Sequence, residues 1–585
     1  MSLNAFRLSL LFCLLVVFSE ISAQKPLNPI VDKGPKSKIE LIKADSLIGT
    51  SGLNSLRTFY GHVRFFHRGV FLNCQKAIHN TGSNNLVAYG NILINQGDTL
   101  TITGDTLFYD GDTRIARIQG RKVILTDDDI TLVSKKMNYD LNTDVAYYPI
   151  PGVINQDSVV LSSNKGYYNT TTKLFNYIGN VEILHPDFVL CTDTLDYDSN
   201  TKRADFNSYT TITSADGTLS ANKGYYFTDS KKSKFFGRSF MENAEYTLTA
   251  DTLDFDLEIE EGFGIGHVEF FSKADSLLLN GDYGEKLSSK GFTKISGNTL
   301  MRSVSDGDTL FLSAEYIIAY NSIDSVIQKP IDSLLVDTTK NTIDLSKTDT
   351  ASNIQLEIIV PDSALLSNKL PGNSLSEKPK DKNKIEFIIA NGNVKIYRDD
   401  FQSICDSLNY NLIDSSIVFL GNPMIWSTDN QLEGDTIEVH MVNNKIKTMF
   451  LRQNSFVIAQ DSAFNFNQIK GRGIVAAFDS LTNIQTVHVD GNGESIYFAM
   501  DDANKLIGLN RVECSRMVLN FLNRKVKRIS FMGSPESRLI PPNEIGSNQI
   551  KLDDFSWEIE KKPTKKQVVG SYFADDIVEM ELTPN

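Results

Sequence analysis

Cysteine, tryptophan and histidine are scarce in this chain, with 5, 2 and 7 copies in 585 residues. Cys13 lies in an apolar stretch near the N terminus, and Cys74, Cys191, Cys405 and Cys514 are too widely separated to offer the paired spacing of a zinc site. They read as buried thiols, with a single disulfide left open. The histidines, at 62, 67, 79, 185, 267, 440 and 488, make no HExxH pair. There is no Walker loop, no dinucleotide fingerprint and no GxSxG elbow, so no catalytic residue, metal or cofactor is expected. A surplus of positive charge is missing as well. The formal net charge is −14 and no basic stripe alternates with aromatics, which excludes a dedicated nucleic-acid binder.

Long apolar runs are also absent, with one exception. The opening "MSLNAFRLSLLFCLLVVFSEISAQ" places Arg7 before an apolar run from Leu8 to Phe18 and ends in the small residues Ser22 and Ala23. The run is shorter than the roughly 20 residues that cross a bilayer, so the expectation is a cleavable secretory signal over 1–23 and export to the envelope.

What the chain does have is a repeat. Aligned beneath one another stand "GDTLFYDGDT" from Gly104, "SKKMNYDLNT" from Ser134, "SNKGYYNTTT" from Ser163, "TDTLDYDSNT" from Thr192, "ANKGYYFTDS" from Ala221 and "ADTLDFDLEI" from Ala250. The sixth position is aromatic throughout (Tyr109, Tyr139, Tyr168, Tyr197, Tyr226, Phe255), at spacings of 30 and then 29 residues. A second marker travels with it, a glycine often followed by Asn, as at Gly90-Asn91, Gly179-Asn180 and Gly266-His267, which reads as a turn into another strand. Alternating residue types broken by Asn, Asp, Gly or Thr predict about two strands per repeat.

The repeat bears on the many aspartates. Asp196-x-Asp198-x-Asn200 imitates the start of a calcium loop, but Thr201 and Asn207 stand where glycine and a bidentate glutamate are needed. Phe108, Asn138 and Tyr167 replace Asp196 in sister repeats, so these acids read as solvating and turn-capping residues. Alternation also puts Leu107 with Tyr109, Met137 with Tyr139, Leu195 with Tyr197 and Leu253 with Phe255 on shared strand faces. Stacked repeats would join these pairs into apolar stripes, which serve either as plain core or as a ligand surface.

Along the chain, a linker at 24–37 precedes a first β array at 38–325. A Ser-, Thr-, Asp- and Lys-rich linker or insertion follows at 326–383, a second array at 384–540 and a charged tail at 541–585. The recurring GNV-type turn and DTLDYD-type strand resemble the OstA-like family of LptA-type and periplasmic LptD-type lipopolysaccharide-transport domains, here in an extended two-array form. The resemblance implies an all-β, open antiparallel β-jelly roll of ~29-residue repeats. It implies a periplasmic carrier of lipopolysaccharide or a related lipid, with the eight stripe residues lining an apolar groove. Other lipopolysaccharide-transport components would be partners, met by end-to-end strand stacking. The alternative is a secreted parallel β-helix acting as an adhesin or structural protein that binds glycans or proteins; the short polar turns "YDGDT", "YDLNT" and "YDSNT" favour antiparallel hairpins over it.

Overall fold

The computed structural model describes residues 37–49, 56–305, 308–321, 384–443, 445–501, 505–522 and 525–573. The expected signal segment, nearly all of the N-terminal linker, the 326–383 insertion and the end of the tail lie outside the described residues. What is described is almost wholly antiparallel β-structure, the pairing expected of a jelly roll and not of a parallel coil. The contacts divide it into two units, one reaching Ala215 and including Phe227–Asp229, the other formed by Asp216–Tyr226 and Ser230 onward.

The building block is a strand of 11 to 13 residues bent at its middle. In Asn85–Gln96, residues 85–89 pair with 106–110, and 92–96 pair with 100–104, the register slipping between Tyr89 and Ile92. The two halves therefore belong to two facing sheets, called here upper (the halves carrying the repeat tyrosines) and lower. Gly90 and Asn91 make the corner with φ of 73° and 49°. Two successive left-handed residues turn the chain sharply, and glycine takes the first place because a Cβ there would lie 2.4 Å from Gln75 Oε1. The Gly-Asn marker is thus a corner inside one continuous strand, not the end of one strand and the start of the next. In the neighbouring strand the buried positions shift parity across the corner, from Leu100 and Ile102 to Leu107 and Tyr109, so both halves still present their apolar side inward.

The corners explain aspartates that composition alone assigned to solvation. The Asp opening the GDT, ADT and GDY segments embraces the corner of the next strand. Asp105 accepts from the Arg121 amide at 2.8 Å, Asp251 meets His267 Nδ1 at 2.6 Å, and Asp282 accepts from Asn298 Nδ2 at 2.7 Å. Asp45 does the same for His62 at 2.7 Å, so His62 and His267 are corner residues. The other acids cap hairpins. Asp110 accepts from the amides of Asp112 and Thr113, and Asp198 from those of Asn200 and Thr201, while Asp196 accepts from Asn176 on the adjacent strand.

In the second unit, Tyr316–Tyr320 and Asp308–Ser313 both pair directly with Phe387–Tyr397. The strands before and after the insertion are therefore immediate neighbours. Beyond Ile540 the chain leaves the sheets and runs back over the outer face of the lower sheet. There the row Gln431, Ile458, Gln468 and Ile496, successive partners across four strands, is sealed by Leu552 with Ile545, Ile550, Phe555 and Trp557. Gln468 and Gln431 are fully buried and grip this strap by its backbone. Gln468 donates to Ile550 O and accepts from Leu552 N, both at 2.8 Å. Gln431 donates to Ser556 O at 2.7 Å and accepts from Glu558 N at 2.8 Å. A helical turn, Lys565–Val569, capped by a reciprocal Thr564–Gln567 box, then sets Val568 and Val569 on Leu300 and Phe311.

Candidate lipid groove

Within each unit, the repeats line the space between the two sheets with apolar side chains. All eight stripe residues point into it. Leu107, Tyr109, Met137, Tyr139, Leu195 and Tyr197 in the first unit, and Leu253 and Phe255 in the second, are each at least 96% buried. Within the first unit the interior is filled, as where Phe175 stacks between Tyr168 and Tyr177 at centroid distances of 4.2 and 5.5 Å.

The corners close one long side of this space. The opposite side, where hairpin tips of the two sheets meet, is closed by hydrogen bonds made by the repeat tyrosines. The Tyr109 hydroxyl, at an upper tip, lies 2.6 Å from Nδ1 of His67, at a lower tip. Tyr139 donates to Gln96 Oε1 at 3.0 Å, and Tyr168 to Asp127 Oδ2 at 2.6 Å, with Lys173 Nζ on the same carboxylate oxygen at 2.7 Å. The partner always lies 41 to 43 residues back in sequence, so the same rung recurs with the repeat. Burial pushes the Tyr109 phenol up to about 12 and raises those of Tyr139 and Tyr168 further, keeping all three protonated. Burial also lowers the His67 pKa, with the Ser37 carbonyl opposing it. Tyr109, Tyr139 and Tyr168 therefore combine an inward ring with a seam-closing hydroxyl, a role that alternation alone did not reveal.

The interior opens toward the last repeats. Leu432, Val457, Ile469, Ser495 and Val512 are consecutive partners on the inner face of the lower sheet. Ile469 occupies the place that Ile102 fills in the first unit, yet it is only half-buried where Ile102 is sealed. Val457, Tyr497 and Ala499 are half-buried too, and Leu539 is 59% exposed. None of these was singled out from the sequence, because the aromatic repeat marker fades before it reaches them.

Among the described residues no three His, Cys, Asp or Glu side chains converge as metal ligands, and Cys74, Cys191, Cys405 and Cys514 are all free thiols. Burial raises the thiol pKa of Cys405 to about 12 and of Cys74 to about 11, which keeps both protonated and unreactive.

Residues 36–193 and 179–251 match the sequence model of the OstA-like protein family. Together the two matches make residues 36–251 similar to that family. No curated protein matches it. Among solved structures it is similar to LptH from Pseudomonas aeruginosa, described as the LptA-homologous periplasmic component of a conserved lipopolysaccharide transport device. The identity is 12%, the match covers 20% of this chain and 94% of LptH, and the TM-score is 0.19.

Proposed function

We propose that the protein is an envelope lipid carrier of the lipopolysaccharide-transport type, sheltering acyl chains between its two sheets. The observation that carries this reading is the inner apolar face, which runs through successive repeats of each unit, becomes partly accessible at Val457, Ile469 and Tyr497 and is exposed at Leu539. Each methylene moved from water to such a surface gains about 0.8 kcal/mol, so a chain of a dozen carbons is held on the order of 10 kcal/mol without any charged ligand. The OstA-like span supports lipopolysaccharide or a related lipid as the cargo and the periplasm as the location, reached through cleavage of the signal near Ala23.

Partners of the same transport route would meet the chain end to end. Glu40–Lys43 and Ser46–Gly49 pair only with Leu56–His67 among the described residues, and they leave Leu41, Ile42, Leu47 and Ile48 exposed on a sheet edge, a surface suited to strand addition.

A photo-crosslinking amino acid at Ile469 or Tyr497 in the exported protein tests the proposal. Lipopolysaccharide should be recovered on the crosslinked chain, whereas a crosslinker on the outer face at Arg511 should capture none. Equal yields from the two positions, or no lipid from either, would refute it.

A further inference from the structure

The rungs that close the seam change character in the second unit. Tyr109 is the penultimate residue of Leu100–Asp110, and Lys286 holds the same place in Leu277–Leu287. Between them in sequence, Phe255 supplies a ring but no hydroxyl. Lys286 pairs with Thr293, itself buried, and is 6% exposed. Its ammonium lies 4.8 Å from the ring centroid of Tyr246, on the lower sheet, so here a cation–π contact bridges the seam where hydroxyls bridge it in the first unit.

This charge is poorly compensated. No carboxylate among the described residues forms an ion pair with it; Glu260 and Glu245 act on it only through longer-range attraction. Burial outweighs that attraction and lowers the ammonium's pKa. Taking an ammonium out of water is costly, and a single cation–π contact offsets only part of that cost. A tyrosine fills the equivalent position in five repeats at no such cost, so packing does not account for a lysine here.

We propose that Lys286 is the binding site for the anionic group of a lipid held in the groove, a phosphate or carboxylate headgroup seated at the seam while the acyl chains lie along the inner face. The inference rests on the groove reading above. Glu245 and Glu260 act on the ammonium without forming an ion pair with it. A headgroup in direct contact with the ammonium outweighs them, because charge interactions fall with distance and are strongest where water is excluded. The contact is a charge-assisted hydrogen bond, which adds selectivity for phosphorylated over neutral lipids of the same chain length.

The test uses the purified mature full-length chain, fluorescent phosphatidic acid and diacylglycerol of identical chains, and inorganic phosphate as competitor. Wild type should prefer phosphatidic acid about tenfold or more, the scale of one hydrogen bond to a charged group. Lys286→Met should abolish the preference while leaving diacylglycerol binding unchanged, and Lys286→Arg should retain it. Melting curves establish that the variants fold; should the Met variant fail to, Lys286→Gln must show the same loss. A preference that survives in Lys286→Met overturns the inference and leaves the groove intact. Displacement of phosphatidic acid by millimolar phosphate alone also overturns it, since the site would then take free anions. If wild type binds neither lipid, the groove reading falls and this inference with it.

Discussion

Gln468→Ala is the sharpest test of how the C-terminal strap is held. The native side chain is fully buried and makes two 2.8 Å bonds to the strap backbone. Truncation orphans the amide of Leu552, which is 3% exposed, and the carbonyl of Ile550. A buried polar group left without its partner costs about 1–3 kcal/mol. With the lost packing volume, strap docking should weaken by about 4 kcal/mol, raising the strap-open population roughly a thousandfold. Hydrogen exchange reads this directly: the amides of Leu552 and Glu558 should lose protection by that factor, while those of Ile474 and Val489 on the upper sheet keep theirs. Trypsin should cut at Lys551 and Lys561 before any site in the strands. Gln468→Leu, which conserves volume but breaks both bonds, should behave similarly. If Gln468→Ala leaves the strap amides as protected as in wild type, the two-pronged grip contributes nothing and apolar contact alone holds the segment.

Three further outcomes are expected. Tyr168→Phe removes one rung while leaving Lys173 on Asp127, so thermal or urea unfolding should show a loss of about 1–2 kcal/mol with the interior packing unchanged. Gly90→Ala combines a positive φ of 73° with a Cβ 2.4 Å from Gln75 Oε1 and should cost about 1–2 kcal/mol from the left-handed backbone alone; an unchanged melting temperature would contradict the corner geometry. His67 has its pKa lowered from 6.5 by burial, so the unfolded chain binds this proton more readily than the folded one. Stability from that histidine is thus fully present above pH 6.5 and declines as the pH falls below it toward the folded pKa; the decline should shrink in His67→Gln, with His79, shifted the same way, supplying the remainder.

Much of this architecture was legible in the sequence because the repeat writes it out several times. The period near 29, the inward pairing of Leu195 with Tyr197, and the turn-capping role of Asp198 follow from local alternation and turn chemistry, and all three hold. What alternation could not convey is what happens across the sandwich. Gly90-Asn91 looks the same in sequence whether it ends a strand or bends one, and only the pairing of both halves of Asn85–Gln96 distinguishes the two. Asp105 and Asp110 are the same residue type five positions apart, yet one pins a corner and the other caps a hairpin. Tyr139 meets Gln96 from 43 residues away, and the strap reaches Gln431 from 127. Separations of that size leave no mark in a local pattern. The partly accessible inner face around Ile469 escaped because the aromatic repeat marker fades before the chain reaches it.

The direct pairing of Asp308–Ser313 and Tyr316–Tyr320 with Phe387–Tyr397 makes the covalent link between residues 321 and 384 dispensable to the hydrogen-bond ladder. Loop-closure entropy rises slowly with length, by about 0.6 kcal/mol for each doubling. Natural variation in its length or composition therefore carries almost no penalty for the sheets, and a gene divided at this point could encode two polypeptides that reunite along one strand boundary. Evolution has here a site at which new sequence can be added or lost while the sheets on either side keep their register.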